Sequence, residues 1–245
     1  MSLVISHRGA NQEAPENTLP AFRRSLEYKV DGFENDVHLT RDGRLVVCHD
    51  DTVDRTSNGV GLIADHTFEE LRALDFGSWF APEFAGTQIP TLEEFYALCA
   101  DLKIVNVEIK RAPDGSTDAA AGVIRLAKAC GVFEKLVVSS FDMDMLQACA
   151  AEDPAARTAF LYMDGELAEE IAGDPGAYAQ KYGLAAFHPL LLFATEEFIA
   201  ACHGHGLMVN PWTVNPAHAL EIMRDRGCDC VITDQPLRAM QVMYG

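Results

Sequence analysis

The sequence predicts an α/β fold, a (β/α)8 TIM barrel with a small insertion after the second barrel strand. Apolar, strand-like runs alternate with stretches of helical period over nearly all of the 245 residues. The connections between them are short, and this alternation is typical of a parallel sheet. Eight such units in a chain of this length match a (β/α)8 barrel. An open doubly wound sheet is the alternative, but His7-Arg8-Gly9-Ala10-Asn11 is not its usual glycine-rich phosphate loop.

Short apolar runs form the predicted strands. They are residues 3–7, 32–38, 45–49, 104–109, 136–140, 158–162, 185–188, 207–211 and 230–233. The runs 32–38 and 45–49 count as one hairpin-like unit, which leaves eight units for the barrel.

Helical periodicity fills most of the intervals between these strands. The predicted helices are residues 18–28, 91–101, 118–130, 142–151, 195–203 and 216–226. Thr91 and Thr195 are predicted N-caps, because acidic residues follow them in the first turn. Gly131 and Gly206 follow helices and are predicted to end them.

Residues 51–90 interrupt the alternation. Turn-forming residues are dense there, and only residues 67–74 show a short helical pattern. We expect a single domain over residues 1–245, with residues 51–90 as an insertion near the barrel mouth. Long insertions in compact domains are more often functional than idle.

The composition excludes several classes of partner. Hydrophobic residues make up 49% of the chain, enough for a large core. The formal net charge of −18 argues against a nucleic-acid backbone or an anionic membrane surface as partner. A phosphorylated small molecule is not excluded, because a bound divalent ion reverses the local field. No apolar stretch reaches the roughly 18 residues that a membrane span needs.

The cysteines indicate a reducing compartment. There are seven, an odd number, and most lie in apolar surroundings, as reduced thiols of cytoplasmic proteins do. The first strand begins near residue 3, so we expect no signal peptide and a cytoplasmic protein. Cys228 and Cys230 have no second pair, so a zinc site is not expected there. The sequence does not indicate the oligomeric state.

Three acidic residues form a candidate metal site. Glu34 and Asp36 share one face of their strand, and Glu108 lies on the next predicted barrel strand. Their strand neighbours are apolar and would pack under the helices, which turns the acids towards the barrel interior, where unpaired charge is costly. Oxygen-only ligands favour one hard divalent cation, Mg²⁺ or Ca²⁺. The alternative is a set of exposed acids at strand ends, common in an acidic protein.

Two histidines and two basic residues accompany these acids. His7 and His49 are the candidate acid and base, although a histidine on a strand is often structural. Arg8 and Lys110 are candidate phosphate ligands, notable because the chain has 19 basic and 37 acidic residues. They could instead form salt bridges to Glu34 or Asp36, and both roles can coexist.

Two aromatic residues follow later strands. Trp212 lies in the segment 210–215 at the end of the strand at 207–211, and Phe141 follows the strand at 136–140. Each could pack against the substrate or merely cap the core. Asp142, the residue after Phe141, is predicted to be a helix N-cap rather than a catalytic acid.

With these residues in hand, the chain resembles the glycerophosphodiester phosphodiesterase family over nearly its whole length. The resemblance is specific because several short motifs occur in the family's order and spacing. They are His7-Arg8-Gly9, Pro15-Glu16-Asn17-Thr18, Glu34-x-Asp36-Val37, Thr40-x-Asp42-Gly43, Val46-Val47-x-His49-Asp50, Asp54-Arg55-Thr56, Ile89-Pro90-Thr91-Leu92, Glu108-Ile109-Lys110, Trp212-Thr213-Val214-Asn215 and Thr233-Asp234-x-Pro236.

The resemblance implies metal-dependent hydrolysis of a small-molecule glycerophosphodiester to glycerol 3-phosphate and an alcohol. It implies metal binding by Glu34, Asp36 and Glu108, and a catalytic pair of His7 and His49. It also implies that Arg8 and Lys110 contact the phosphate, and that the first nucleophile is the substrate's own glycerol 2-hydroxyl.

Two alternatives to this function stay open. One is a related lipid phosphodiesterase of the lysophospholipase D or phospholipase C type, which would need an apolar rim or a basic membrane-facing surface. The other is a catalytically silent barrel that binds phosphorylated ligands, for which the loss of a histidine or an acid would be the expected mark. The sequence retains all of these residues.

Overall fold

A ring of parallel strands forms the centre of the computed structural model, which describes residues 2–245. In chain order the strands are β1 (Leu3–His7), β2 (Gly32–Leu39), β3 (Leu45–Val47), β4 (Ile104–Ile109), β5 (Leu136–Ser140), β6 (Thr158–Tyr162), β7 (Ala186–Pro189), β8 (Met208–Val209) and β9 (Cys230–Thr233). The parallel order is β8-β7-β6-β5-β4-β2-β1-β9, and β3 pairs antiparallel with β2 as the predicted hairpin.

Backbone hydrogen bonds bring the two ends of this sheet together. Asp229 N donates to Val209 O at 3.1 Å, and Ile232 N donates to Pro211 O at 3.0 Å. Val214 N donates back to Ile232 O at 2.9 Å. The eight parallel strands therefore form a nearly closed barrel, which confirms the predicted fold class.

Helices alternate with the strands around the barrel. They are α1 (Leu19–Glu27), α2 (Phe68–Arg72), α3 (Leu92–Tyr96), α4 (Asp118–Ala129), α5 (Met143–Glu152), α6 (Gly165–Gly173), α7 (Pro175–Tyr182), α8 (Glu196–Gly204), α9 (Ala217–Arg226) and α10 (Pro236–Tyr244). The predicted N-caps are confirmed, since the side chains of Thr91 and Thr195 accept backbone N–H bonds. Gly131 and Gly206 adopt the positive φ expected after a helix.

Some predicted boundaries were wrong. The helix predicted over 91–101 ends at Tyr96, because the chain then tightens into i→i−3 bonds from Leu98 N and Cys99 N. Helices α6, α7 and α10 were not predicted from the sequence. Glycines and Pro175 interrupt the periodicity of α6 and α7, and α10 begins with Pro236 in its first turn.

Two layers of apolar residues surround the strands. The outer core lies between strands and helices and includes Phe22, Phe33 and Phe95, with ring centroids 4.7–6.1 Å apart. The barrel floor is a separate cluster formed by Ile5, Ile104, Val137, Ala159, Ala186, Cys230 and Ile232. Since side chains alternate along a strand, the outward packing of Phe33 turns Glu34 inward, above the floor.

Residues 51–90 carry a small core of their own. Val53, Ile63, Leu71, Phe76 and Ile89 pack against Val46 and Cys48 of the β2–β3 hairpin region. The segment contains α2 and the short 3₁₀ turns Ile63–Asp65 and Pro82–Phe84. Its role as an insertion at the barrel mouth stays a prediction.

Among residues 2–245, no helix combines the length and the hydrophobicity needed to cross a membrane. All seven cysteines of this range are free thiols, and six of them are buried.

Candidate active site

Glu34, Asp36 and Glu108 meet inside the barrel mouth. The register of β2 and β4 places Asp36 beside Glu108, and the register of β1 and β2 places Glu34 beside His7. One carboxylate oxygen from each acid lies within 4.8 Å of the others. All three side chains are buried or nearly so, which makes them different from acids scattered on a surface.

The electrostatics of this acidic cluster suit a cation. Burial, reinforced by the charges of Asp36 and Glu108, raises the pKa of Glu34. Burial and the charge of Asp36 likewise raise the pKa of Glu108. Carboxylates that repel one another in a buried place are stabilised by a divalent ion, and this donor set consists only of oxygen atoms. The three residues therefore fit Mg²⁺ or Ca²⁺.

Asp36 is the exception in this cluster because two cations hold it. Burial alone would raise the pKa of Asp36, but the charges of Lys110 and Arg8 outweigh burial and lower it. Lys110 Nζ lies 2.7 Å from Asp36 Oδ1, and Arg8 Nε lies 3.2 Å from Asp36 Oδ2. Lys110 also contacts Glu108. Arg8 and Lys110 therefore both form a salt bridge to Asp36, which is one of the two roles that the sequence allowed for them.

Two residues in left-handed backbone conformation deliver side chains to Asp36. Arg8 and Asn17 both have φ of 56°, which is uncommon outside glycine. Asn17 Nδ2 donates to Asp36 Oδ2 at 2.7 Å. Gly9 completes the turn with φ of 80°, and a Cβ there would lie 2.7 Å from the backbone of Ala21. A side chain at residue 9 would therefore disturb the turn that carries Arg8.

His7 is held by a carboxylate from the far end of the chain. His7 Nδ1 donates to Asp234 Oδ1 at 2.6 Å. The amides of Asn11 and Asn215 also donate to Asp234, at 2.5 and 2.8 Å. With Nδ1 engaged, His7 presents Nε2 on the side of Glu34, 3.9 Å from Glu34 Oε2.

His49 has a similar arrangement. His49 Nδ1 donates to Asp50 Oδ1 at 2.7 Å, and Asp50 accepts from Arg55 Nε at 2.7 Å. Arg55 in turn forms two 2.8 Å hydrogen bonds with Glu16, which also pairs with Arg8 at 3.2 Å. Burial lowers the pKa of His49, so its imidazole is neutral at pH 7.

Two other buried histidines have structural partners. His38, which shares strand parity with Glu34 and Asp36, lies beside a separate cavity and bonds through Nε2 to His49 O at 3.2 Å. His188 bonds to Asn210 Nδ2 at 2.9 Å, and burial lowers its pKa to about 3. Asp142 caps α5 by accepting from Asp144 N, as predicted.

A cavity of about 250 Å³ opens at the carboxyl ends of the strands. Its charged and imidazole side chains are those of His7, Arg8, Glu34, His49, Glu108 and Lys110. Its apolar lining consists of Phe141, Leu161, Met163, Trp212 and Ile232. Trp212 and Phe141, the predicted aromatic contacts, meet edge to face with ring centroids 5.6 Å apart.

Asn106 is a further polar residue of the cavity, and no role was predicted for it from the sequence. Its Nδ2 donates to Val137 O at 3.2 Å and to Ser139 Oγ at 2.8 Å. Its Oδ1 is buried and has no hydrogen-bond partner among residues 2–245. The amide orientation is therefore fixed, with an acceptor left for a hydroxyl group or water.

Sequence reasoning also missed the residues that orient this site. Asp234, Asn11 and Asn215 surround His7, and Asp50, Arg55 and Glu16 support His49. Most of them stand inside the motif segments that resemble the family, so the signal was present. His49 and Asp50 are neighbours in the chain, but His7 and Asp234 are 227 residues apart and Glu16 and Arg55 are 39 apart, so only the fold pairs them.

Comparison with known proteins agrees with this geometry. The family model described as the glycerophosphoryl diester phosphodiesterase family matches residues 7–238. A glycerophosphodiester phosphodiesterase of Caldanaerobacter subterraneus subsp. tengcongensis is 38% identical, covering 96% of this chain and 95% of the relative. One from Bacillus altitudinis is 32% identical, covering 99% and 98%.

Solved structures give the same result. A glycerophosphodiester phosphodiesterase of Agrobacterium tumefaciens superposes with a TM-score of 0.86 at 27% identity, covering 98% of this chain and 100% of that one. An Oleispira antarctica phosphodiesterase in complex with the product sn-glycerol-3-phosphate superposes with a TM-score of 0.88 at 26% identity, covering 100% and 98%. The chain therefore belongs to the glycerophosphoryl diester phosphodiesterase family.

Proposed function

We propose that this protein hydrolyses glycerophosphodiesters to glycerol 3-phosphate and an alcohol in the cavity at the barrel mouth. The proposal is supported mainly by one observation. Two imidazoles, each oriented by a carboxylate at Nδ1, line the same cavity as two basic residues and two acids, Glu34 and Glu108, of the three-acid cluster. This combination suits proton transfer on an anionic substrate. The product complex of the Oleispira relative supports a glycerol phosphate ligand for this fold.

Glu34, Asp36 and Glu108 would hold the metal in this proposal. Their mutual approach and the raised pKa of Glu34 and Glu108 are the support, and both Mg²⁺ and Ca²⁺ fit the oxygen donors. When bound, such an ion neutralises a phosphodiester oxygen and stabilises the charge that develops in the transition state.

Arg8 and Lys110 would supply the remaining positive charge. Both side chains line the cavity while they hold Asp36, so they can orient a metal ligand and face a phosphate oxygen at the same time. Phe141 and Trp212 would contact the part of the substrate farther from the phosphate.

His7 and His49 would move the protons. One takes the proton of the attacking hydroxyl, and the other protonates the departing alcohol oxygen. The neutral state of His49 at pH 7 suits it to accept a proton. If the first nucleophile is the glycerol 2-hydroxyl of the substrate, the reaction gains the advantage of an internal nucleophile and needs none from the protein.

A catalytically silent barrel is the less favoured function. Such a protein would be expected to lack part of the proton-transfer apparatus, whereas here both histidines retain a carboxylate partner. The free, mostly buried thiols support our proposal of a cytoplasmic location.

The test is enzyme-coupled detection of glycerol 3-phosphate from glycerophosphocholine, glycerophosphoethanolamine, glycerophosphoglycerol and glycerophosphoinositol. We expect turnover that excess EDTA abolishes and that added Mg²⁺ or Ca²⁺ restores. The metal alone should also raise the melting temperature of the wild type, but not that of Glu34→Gln/Glu108→Gln, because ligand binding stabilises the folded state. Full activity in EDTA would contradict the metal assignment, and no turnover of any diester would contradict the function.

A further inference from the structure

His49 lies beyond the strands that form the barrel. β3 ends at Val47, and the nearest main-chain bond to β2 is the one from Cys48 N to Asp36 O, at 3.0 Å. The imidazole of His49 donates to Asp50, its neighbour in the chain. Because two consecutive residues move together, the bond to Asp50 orients the ring but does not fix its position relative to the barrel.

The next support of this pair of residues lies at the surface. Arg55 donates hydrogen bonds to both Asp50 and Glu16, but its side chain is 45% exposed. Ion pairs that are open to solvent contribute little stability, because water competes for both partners. A firm position for His49 relative to the barrel therefore requires a buried contact as well.

His38 supplies this buried contact. It lies on β2, two residues after Asp36, and its side chain is 6% exposed. His38 Nε2 donates to His49 O at 3.2 Å, since a carbonyl oxygen can only accept. Among residues 2–245, this is the only hydrogen bond to the main chain of His49. His38 Nδ1 lies 3.9 Å from Asp51 Oδ1, too far for a hydrogen bond, so the imidazole is engaged with His49 alone.

We propose that His38 is a positioning residue, which holds the main chain of His49 so that its imidazole stays in reach of the substrate. The inference rests on the proposed function, in which His49 moves a proton. Strand β2 then carries Glu34 and Asp36 as well as the side chain that holds His49, so a single strand sets the distance between the imidazole and these acids. A group that transfers a proton must stand within hydrogen-bond reach of the reacting oxygen.

The experiment compares kcat and KM of His38→Leu, His38→Asn and His38→Gln on glycerophosphoethanolamine. The Leu and Asn variants should lower kcat by on the order of 10- to 100-fold and leave KM nearly unchanged, because a small displacement of a catalytic group slows the reaction without removing substrate contacts. Leu has no donor, and the Asn amide reaches only as far as Nδ1. His38→Gln should restore most of kcat, because its amide nitrogen reaches the place of Nε2.

His66→Leu is the matched control. His66 Nε2 donates to Val60 O at 3.1 Å, and its Nδ1 lies 3.9 Å from Glu70, so the variant removes the same kind of bond outside the catalytic cavity. It should keep the kcat and KM of the wild type. In a His49→Ala background, His38→Leu should cost little more, since residues that act as a unit are not additive. A loss of the same size in both backgrounds would show that His38 does not act through His49.

NMR of protein labelled with ¹³C in its histidine rings gives a second readout that needs no turnover. The ring signal of His49, assigned with His49→Ala, should shift in His38→Leu and return in His38→Gln. Both variants lack the imidazole of His38, so the difference between them reports the hydrogen bond.

The outcomes separate the inference from the proposed function. Wild-type kcat in His38→Leu, or the same His49 signal in the Leu and Gln variants, overturns the inference and leaves the function standing. If the wild type turns over no diester, the function fails, and the His49 signal still decides whether His38 holds His49.

Discussion

At the scale of single residues, the site depends on side chains that hold other side chains. Asp234 accepts hydrogen bonds from His7, Asn11 and Asn215, and so fixes which nitrogen of His7 carries the proton. Asp50 does the same for His49, and its own partner Arg55 leads through Glu16 to Arg8. These residues are positioning residues, because they act through the imidazoles and the guanidinium.

Replacing Asp234 tests this role. We expect Asp234→Ala to lower kcat by on the order of 10²–10⁴-fold with a small change in KM, because His7 loses its orientation while the rest of the cavity is kept. The measurement is steady-state kinetics on a glycerophosphodiester.

A double-mutant cycle supplies the control for Asp234. In a His7→Ala background, Asp234→Ala should cost little more, since residues that act as a unit are not additive. Asp225→Asn, at an exposed surface carboxylate, should behave as the wild type. Independent, multiplying effects of the two alanine substitutions would show that Asp234 does not act through His7.

At the scale of elements, the strand ends are positioned by the helices and hairpin around them. His49 lies two residues after β3, the second strand of the β2–β3 hairpin. Beyond residues 51–90, Thr91 and Glu94 form a capping box at the start of α3. Thr91 N donates to Glu94 Oε2 at 2.9 Å, and Glu94 N donates to Thr91 Oγ1 at 3.2 Å. Arg72 of α2 also forms two hydrogen bonds with Glu94, which ties residues 51–90 to the barrel.

Removing this cap should lower stability. Thr91→Ala should reduce the free energy of unfolding by about 1 kcal/mol, because two backbone N–H groups of the α3 N-terminus lose a partner or its orientation. Urea denaturation measures the change. Thr117→Ala is the matched control, since Thr117 precedes α4 without a side-chain cap bond, and it should change stability much less. Equal losses at both positions would contradict the assignment.

At the scale of the whole molecule, closure of the barrel brings His7 and Asp234 together from opposite ends of the chain. This pairing makes the free energy of unfolding depend on pH. Burial would raise the pKa of Asp234, but the hydrogen bond and charge of His7 and the two amides outweigh it and lower that pKa to about 2, from 3.8. The folded state therefore binds fewer protons than the unfolded state between these values.

We expect the wild type to lose about 2 kcal/mol of stability through Asp234 as pH falls from roughly 4 to 2. This contribution is complete above the unfolded pKa and disappears as pH falls through the folded pKa. Urea denaturation of wild type and Asp234→Asn along this pH range is the measurement. The variant should show a shallower loss. Parallel curves for the two proteins would exclude Asp234 as a source of the acid sensitivity.

The sequence by itself determined the strand–helix alternation, the barrel and the inward direction of Glu34, Asp36 and Glu108. It could do so because side-chain period and apolar patterning are local properties of the chain. It did not reveal α6, α7 and α10, where glycine and proline obscure the periodicity.

Only the tertiary structure decided the partners that lie far apart in the chain. His7 and Asp234 are 227 residues apart, and they meet because β1 pairs with β9 when the barrel closes. No local pattern encodes that pairing, since it arises from packing between distant segments.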